Sequence, residues 1–311
     1  MTDASVPQPE STATLPWRVR RPRSVTGFLS PAVRRVAAAR GLDAAVLAGR
    51  GGSGAQGRIT VDDLDAAVPS GVDDMARPTG DERVPFTRVQ ARAGVALLDS
   101  KHTAAHATTI VLADYSAIEV ARREWRERFR AEEGFSLTYL PFVARAVVDA
   151  LRDFPLLNAT LDSDDALTVR RAIGLGIAVD LAYQGLVVPV VHDADGLRLR
   201  TLARGIDDVA RRARSKRMTP DDAVGGTFTI TNPGASGTAI SVPIINRPQI
   251  GILSTDGVRK RVVAVGSGLE IRPMGYLCLS FDHRAVDGAY AGAFAGRVRE
   301  IVETRDWLKE L

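Results

Sequence analysis

The chain has 311 residues, 45% hydrophobic and 25% charged, and 41 Lys and Arg against 37 Asp and Glu leave a formal charge of +4. That composition builds a folded core and excludes a wholly disordered chain. No apolar run reaches membrane-spanning length, since Asp180 and Gln184 break Gly174 to Val191, and a single cysteine, Cys278, excludes a disulfide scaffold. Met1 to Ser24 lacks the apolar core of a secretory leader, so a cytoplasmic protein with no membrane partner is expected. Charges alternate in sign along the predicted helices, which argues against nucleic acid as a partner.

In chain order, residues 1–28 are rich in Pro, Ser, Thr and Arg without periodicity and read as a disordered tail. Residues 29–68 read as a small helical domain. Ser30 caps a helix that starts at Pro31 and ends at Gly41. Thr60 caps a second helix with Asp62 and Asp63 in its first turn and Leu64 as its apolar anchor. Residues 69–84 read as a linker, and 85–311 as one α/β domain. Within it, Ile118, Trp125 and Phe129 share one helix face, and Tyr139 to Leu151 reads as a buried helix stopped by Phe154-Pro155. Leu202 to Arg214 and Gly288 to Glu303 read as further helices. Ile173–Val179, Leu186–Val191, Thr227–Thr231, Ile250–Leu253, Val262–Val265 and Tyr276–Phe281 read as strands.

Two strand ends carry candidate chemistry. An apolar strand runs into Asp282-His283-Arg284-Ala285-Val286-Asp287-Gly288, and a helix leaves after it. A histidine held between rigid elements suits a general base, with Asp287 fixing the local geometry; a histidine that only caps a helix fits the same residues. Thr231 ends a second strand before Asn232-Pro233-Gly234, where its hydroxyl can face a cleft and stabilise an oxyanion, or simply belong to a strand and turn. The glycine-rich stretch from Gly49 to Gly57 lacks the Lys-Ser/Thr ending of a phosphate loop. His102, His106 and His192 are too scattered for a metal site, so no metal is expected.

From Leu29 onward the sequence resembles the acyltransferase (E2) subunits of 2-oxo acid dehydrogenase complexes. Asp282 to Gly288 matches their Asp-His-Arg-x-x-Asp-Gly motif, and Gly226 to Asn232 matches their conserved strand. Phe154 to Ala159, Gly185 to Val190 and Pro243 to Gln249 match in the same order, and Pro273 to Leu277 is closest to the succinyltransferase branch. The resemblance implies a chloramphenicol-acetyltransferase-like α/β fold, a mixed sheet flanked by helices and assembled as a homotrimer or a multiple of trimers. It implies an active site between subunits, with His283 as base, Thr231 as oxyanion donor and Asp287 as electrostatic partner. Asn232, Phe281 and Arg284 would lie along the substrate and CoA channel. Ser30 to Arg35 and Gly52 to Ile59 resemble the peripheral subunit-binding domain, with Arg34, Arg35 and Arg58 as docking residues for the E1 or E3 subunits of a dehydrogenase complex. Leu47 to Gly51 is longer than usual there, and His192 replaces the family's usual lysine.

No lysine precedes Lys101, so no lipoyl arm of the chain's own is expected. That absence favours a stand-alone enzyme that takes acetyl-CoA as co-substrate and acetylates a small-molecule hydroxyl, such as the primary hydroxyl of a polyketide tetronate. The alternative is an E2 core subunit served by lipoyl groups on another chain. A non-catalytic scaffold is a third reading, which the His283–Asp287 pair disfavours.

Overall fold

A computed structural model describes residues 30–39, 53–54, 59–61, 63–64, 82–163 and 166–311. The expected tail, Arg58 and most of the expected linker lie outside these residues. The chain divides into two compact units, Met1–Arg83 and Val84–Leu311.

In the first unit, helix α1 (Pro31–Ala39) starts where Ser30 Oγ accepts the amide of Val33 at 3.3 Å. Asp63 closes the second helical start: its carboxylate accepts from Thr60 N at 2.7 Å, and its own amide donates to Thr60 Oγ1 at 3.4 Å. The Thr60 and Ser53 bonds hold that carboxylate well below the usual range. Val33, Ala37 and Leu64 form the buried cluster. Arg34 and Arg35 are exposed on α1.

The second unit begins with α2 (Arg88–Thr103), closed by a reciprocal box in which Thr87 Oγ1 accepts from Gln90 N and Gln90 Oε1 accepts from Thr87 N. Strand β1 (His106–Asp114) follows, then α3 (Ser116–Glu133) and α4 (Leu140–Asp153). Helix α4 is buried almost throughout, and its buried Arg145 pairs with Asp149 one turn on and donates to Leu197 O. After α4 come β2 (Ala159–Leu161), β3 (Leu167–Val169), β4 (Leu175–Ile177), β5 (Val179–Asp180), β6 (Leu186–Val187) and β7 (Val190–Val191). Helix α5 (Leu199–Arg214) leads to β8 (Phe228–Thr231), β9 (Gly251–Thr255), β10 (Arg259–Val265) and β11 (Gly268–Asp282). Helix α6 (Gly288–Thr304) is the last long element.

The main sheet has the order β1-β11-β9-β8-β4-β7, with β10 paired to the first half of β11. It is mixed: β4, β8 and β9 run parallel, while β11 is antiparallel to both β1 and β9. β4 can lie close to the start of β8 only because residue 174 is glycine. A Cβ there would fall 1.9 Å from the carbonyl oxygen of Gly225. Phe228 and Ile230 turn to the helical side, where Phe228 meets Phe294 of α6 at 5.7 Å between ring centroids. Thr229 and Thr231 alternate to the other face.

Candidate active site

Strand β11 delivers His283. Its last ladder residues are held on both sides, Asp282 N donating to Ile250 O at 2.9 Å and His283 N to Ala105 O at 2.8 Å. The Asp282 carboxylate is buried and accepts from Ala105 N at 3.3 Å, Arg284 N at 3.1 Å and the Arg284 guanidinium at 2.8 Å. Burial pushes this carboxyl up, but the Arg284 bonds outweigh it and hold the group below its ordinary value. The stabilisation this gives is therefore present above the unfolded carboxyl value of about 3.9 and is lost as pH falls through the lower folded value. Asp282→Asn is expected to flatten the acid side of a plot of Tm against pH. Parallel curves for the variant and the parent would contradict this reading.

The His283 ring is exposed, lies 5.7 Å from the Phe281 ring, and has no hydrogen-bond partner among the described residues. Asp287 does not hold it. Its carboxylate instead caps α6, accepting from Tyr290 N at 2.8 Å. Phe281, expected along a channel, is buried in the core, because it occupies the helix-facing position of a central strand. Arg284, expected there too, is drawn into its ion pair with Asp282. The Asn232 side chain accepts from Gly234 N at 3.1 Å and shapes the turn.

Thr231 ends β8 at the wall of a cavity of about 400 Å³, lined also by Leu97, Val188, Ser241, Ile244 and Ile252. Two charged groups on its wall, Asp99 and Arg247, pair with each other at 3.0 Å. His283 is not part of this cavity. Thr231 is level with Ser254 and hence with Cys278, two strands across. Five further residues along β11 and two strand spacings put His283 about 19 Å away. One copy of the chain therefore keeps its histidine and its strand-end hydroxyl apart.

Sequence reasoning missed Ser241 and Asp256, which bond to each other beside Thr231. Neither sits in a motif, and only folding brings them together.

The family model for the 2-oxoacid dehydrogenases acyltransferase catalytic domain matches residues 78–308, and that for the E3 binding domain matches 27–65. The dihydrolipoyllysine-residue succinyltransferase component of the 2-oxoglutarate dehydrogenase complex of Rickettsia bellii is 35% identical over 98% of this chain and 76% of its own. The cubic core of a pyruvate dehydrogenase multienzyme complex superposes with a TM-score of 0.70 at 32% identity, over 74% of this chain and 94% of that one. The dihydrolipoamide acetyltransferase of Azotobacter vinelandii does so with 0.70 at 31% identity, over the same shares of each chain. In that enzyme a serine, a histidine and, four residues after it, an asparagine were investigated for their role in catalysis.

These relatives overturn two expectations. The stand-alone tetronate acetyltransferase is not upheld, because the relative that matches almost the whole chain is a succinyltransferase component of a dehydrogenase complex. The co-substrate reading, acetyl-CoA with no lipoyl group of the chain's own, is likewise corrected, since the relative is named for a succinyl group and a dihydrolipoyllysine residue. Among the described residues no helix is long and apolar enough to cross a membrane. The mixed sheet flanked by helices, the strand-end histidine and the two matched regions make this chain an acyltransferase of the 2-oxoacid dehydrogenase family, with an E3-binding region ahead of its catalytic domain.

Proposed function

We propose that the protein is the acyltransferase (E2) subunit of a complex of the 2-oxoglutarate dehydrogenase type, moving a succinyl group between the thiols of dihydrolipoyllysine and CoA. The observation that carries this is the 35% identity to a succinyltransferase component over 98% of the chain. Residue spacing supports the site. The serine and histidine investigated in the Azotobacter enzyme are 52 residues apart, the interval between Thr231 and His283. Asp287 stands where that enzyme's asparagine does, four residues after the histidine.

In this reaction His283 removes the proton of the attacking thiol. The thiolate adds to the thioester carbonyl, and the oxygen that becomes negative accepts the Thr231 hydroxyl. Collapse of the adduct breaks the original C–S bond, and the departing thiolate takes the proton back from the imidazolium. No acyl-enzyme is required when both thiols meet in one passage. Because one copy separates its two groups by about 19 Å along and across the sheet, His283 of one copy serves Thr231 of another. That arrangement makes the trimer, or a larger multiple of it, the working form. Asp287 acts by fixing the start of α6 behind the histidine turn. Arg34, Arg35 and Arg58 are the basic groups that the E3-binding region offers to the dehydrogenase partner.

The test is release of CoA from succinyl-CoA with dihydrolipoamide as acceptor. Turnover is expected, with acetyl-CoA the poorer donor; turnover of neither thioester would sink the proposal. Thr231→Ala is expected to lower kcat by about 10²-fold, the cost of one oxyanion donor. Thr231→Ser keeps the hydroxyl and is expected to retain most of the rate.

A further inference from the structure

Asp256 is a buried carboxylate that the transfer steps above do not use. It follows β9 and is 3% exposed. Four donors converge on it: Thr238 Oγ1 at 2.7 Å, Ser241 Oγ at 2.8 Å, Ser241 N at 3.0 Å and Ser254 Oγ at 3.2 Å. These bonds offset the water it gave up on burial. They tie down the segment that follows Thr231. Gly234, in the first turn of that segment, lies so close that a Cβ would fall 2.5 Å from Gly257 N and 2.6 Å from the carbonyl carbon of Asp256. Gly257 N also donates to Thr238 O at 3.1 Å. Asp256 thus clamps one wall of the cavity to the end of β9.

The clamp fixes what Ser241 shows to the cavity. Ser241 lines the cavity and its hydroxyl proton is committed to Asp256, which leaves the oxygen's lone pairs to accept. Leu97, Val188, Ile244 and Ile252 make much of the wall apolar, and away from the Asp99–Arg247 pair such a group favours a ligand that carries a donor. Asp256, to which Ser241 is bonded, lies one strand spacing across and two residues along from Thr231, about 8 Å between backbones. That is comparable to the hydrocarbon arm that separates the sulfurs of a lipoyl group from its amide N–H.

We propose that Ser241 accepts a hydrogen bond from the amide N–H of the lipoyl arm and that Asp256 is the positioning residue that turns Ser241 into an acceptor. The ligand named here rests on the acyl-transfer reading above. The shared chemistry is an amide N–H, which a pantetheine arm also carries, and the test separates the two.

The measurement is calorimetric binding of dihydrolipoamide and of methyl dihydrolipoate, which lacks the N–H, to the full chain and its variants. The parent protein is expected to bind the amide about 3- to 10-fold more tightly than the ester, the worth of one hydrogen bond. Ser241→Ala is expected to bind both as the parent binds the ester. Asp256→Asn, which brings a donor among four donors, is expected to lose the same preference and to raise KM for dihydrolipoamide more than it lowers kcat. Equal binding of amide and ester by the parent, binding of neither, or a preference that survives Ser241→Ala would overturn the proposal. A KM that rises in Ser241→Ala for CoA and not for dihydrolipoamide would overturn the lipoyl assignment. Succinyl transfer is measured on the same samples. Transfer without an amide preference removes this inference alone, whereas a preference without transfer removes the proposed reaction alone.

Discussion

Replacing His283 with alanine is expected to lower kcat for succinyl transfer by about 10²- to 10⁴-fold, the usual contribution of a positioned general base. KM for either thiol is expected to stay near the parent value, because the proton is moved in the transition state and not in the bound complex. The fold should tolerate the change. The ring is exposed and makes no hydrogen bond among the described residues, and the turn that carries it is held by Asp282 and by backbone bonds. Tm is therefore expected to move little, and a large loss of rate with an unchanged Tm is the signature of chemistry rather than collapse. A loss of less than tenfold would remove His283 from the role of base.

Phe294→Ala is expected to cost about 3–5 kcal/mol of stability, the range for a buried aromatic truncated in a core. Phe294 is fully buried on α6, and its ring lies 5.7 Å from Phe228 and 6.1 Å from Phe154. The vacated space sits between helix and sheet, where neither can close in without moving β8, the strand that ends at Thr231. Denaturant unfolding should show a lower midpoint with an unchanged slope. Val262→Ala, on an exposed position of β10, should shift stability by less than about 0.5 kcal/mol. Similar losses at both positions would contradict the assignment of the core.

Much of the fold was legible because local chemistry and tertiary packing agree. Ser30-Pro31 starts α1, Phe154-Pro155 stops α4, and the periodic apolar face of Ile118 and Phe129 is buried. Helix α2 was illegible for the opposite reason. Ser100 is its one buried residue, and Val95 and Leu98 stay exposed, so its apolar positions mark no core-facing stripe. Strand β11 was read as Tyr276–Phe281 but begins at Gly268, because its first half pairs with β10 in a ribbon where Glu270 and Arg272 alternate with exposed Leu269 and Ile271. At the site, His283 and Thr231 could be found because each ends an apolar strand. The Asp256–Ser241 clamp could not, since its partners are fifteen residues apart and no period links them. The acyl group and acceptor were misread for a chemical reason. The base and the oxyanion donor serve any thioester, so their motifs carry no information about the acceptor, and the missing lysine was given a weight it could not bear.

The most direct test of the account mixes two inactive copies. His283→Ala and Thr231→Ala chains would be co-expressed, purified as mixed assemblies and assayed with succinyl-CoA and dihydrolipoamide. If His283 of one copy serves Thr231 of another, random mixing leaves roughly a quarter of the sites with both groups, and the mixture should recover about that share of the parent rate. A mixture no more active than either variant alone would contradict a site shared between copies and, with it, the mechanism proposed for this acyltransferase.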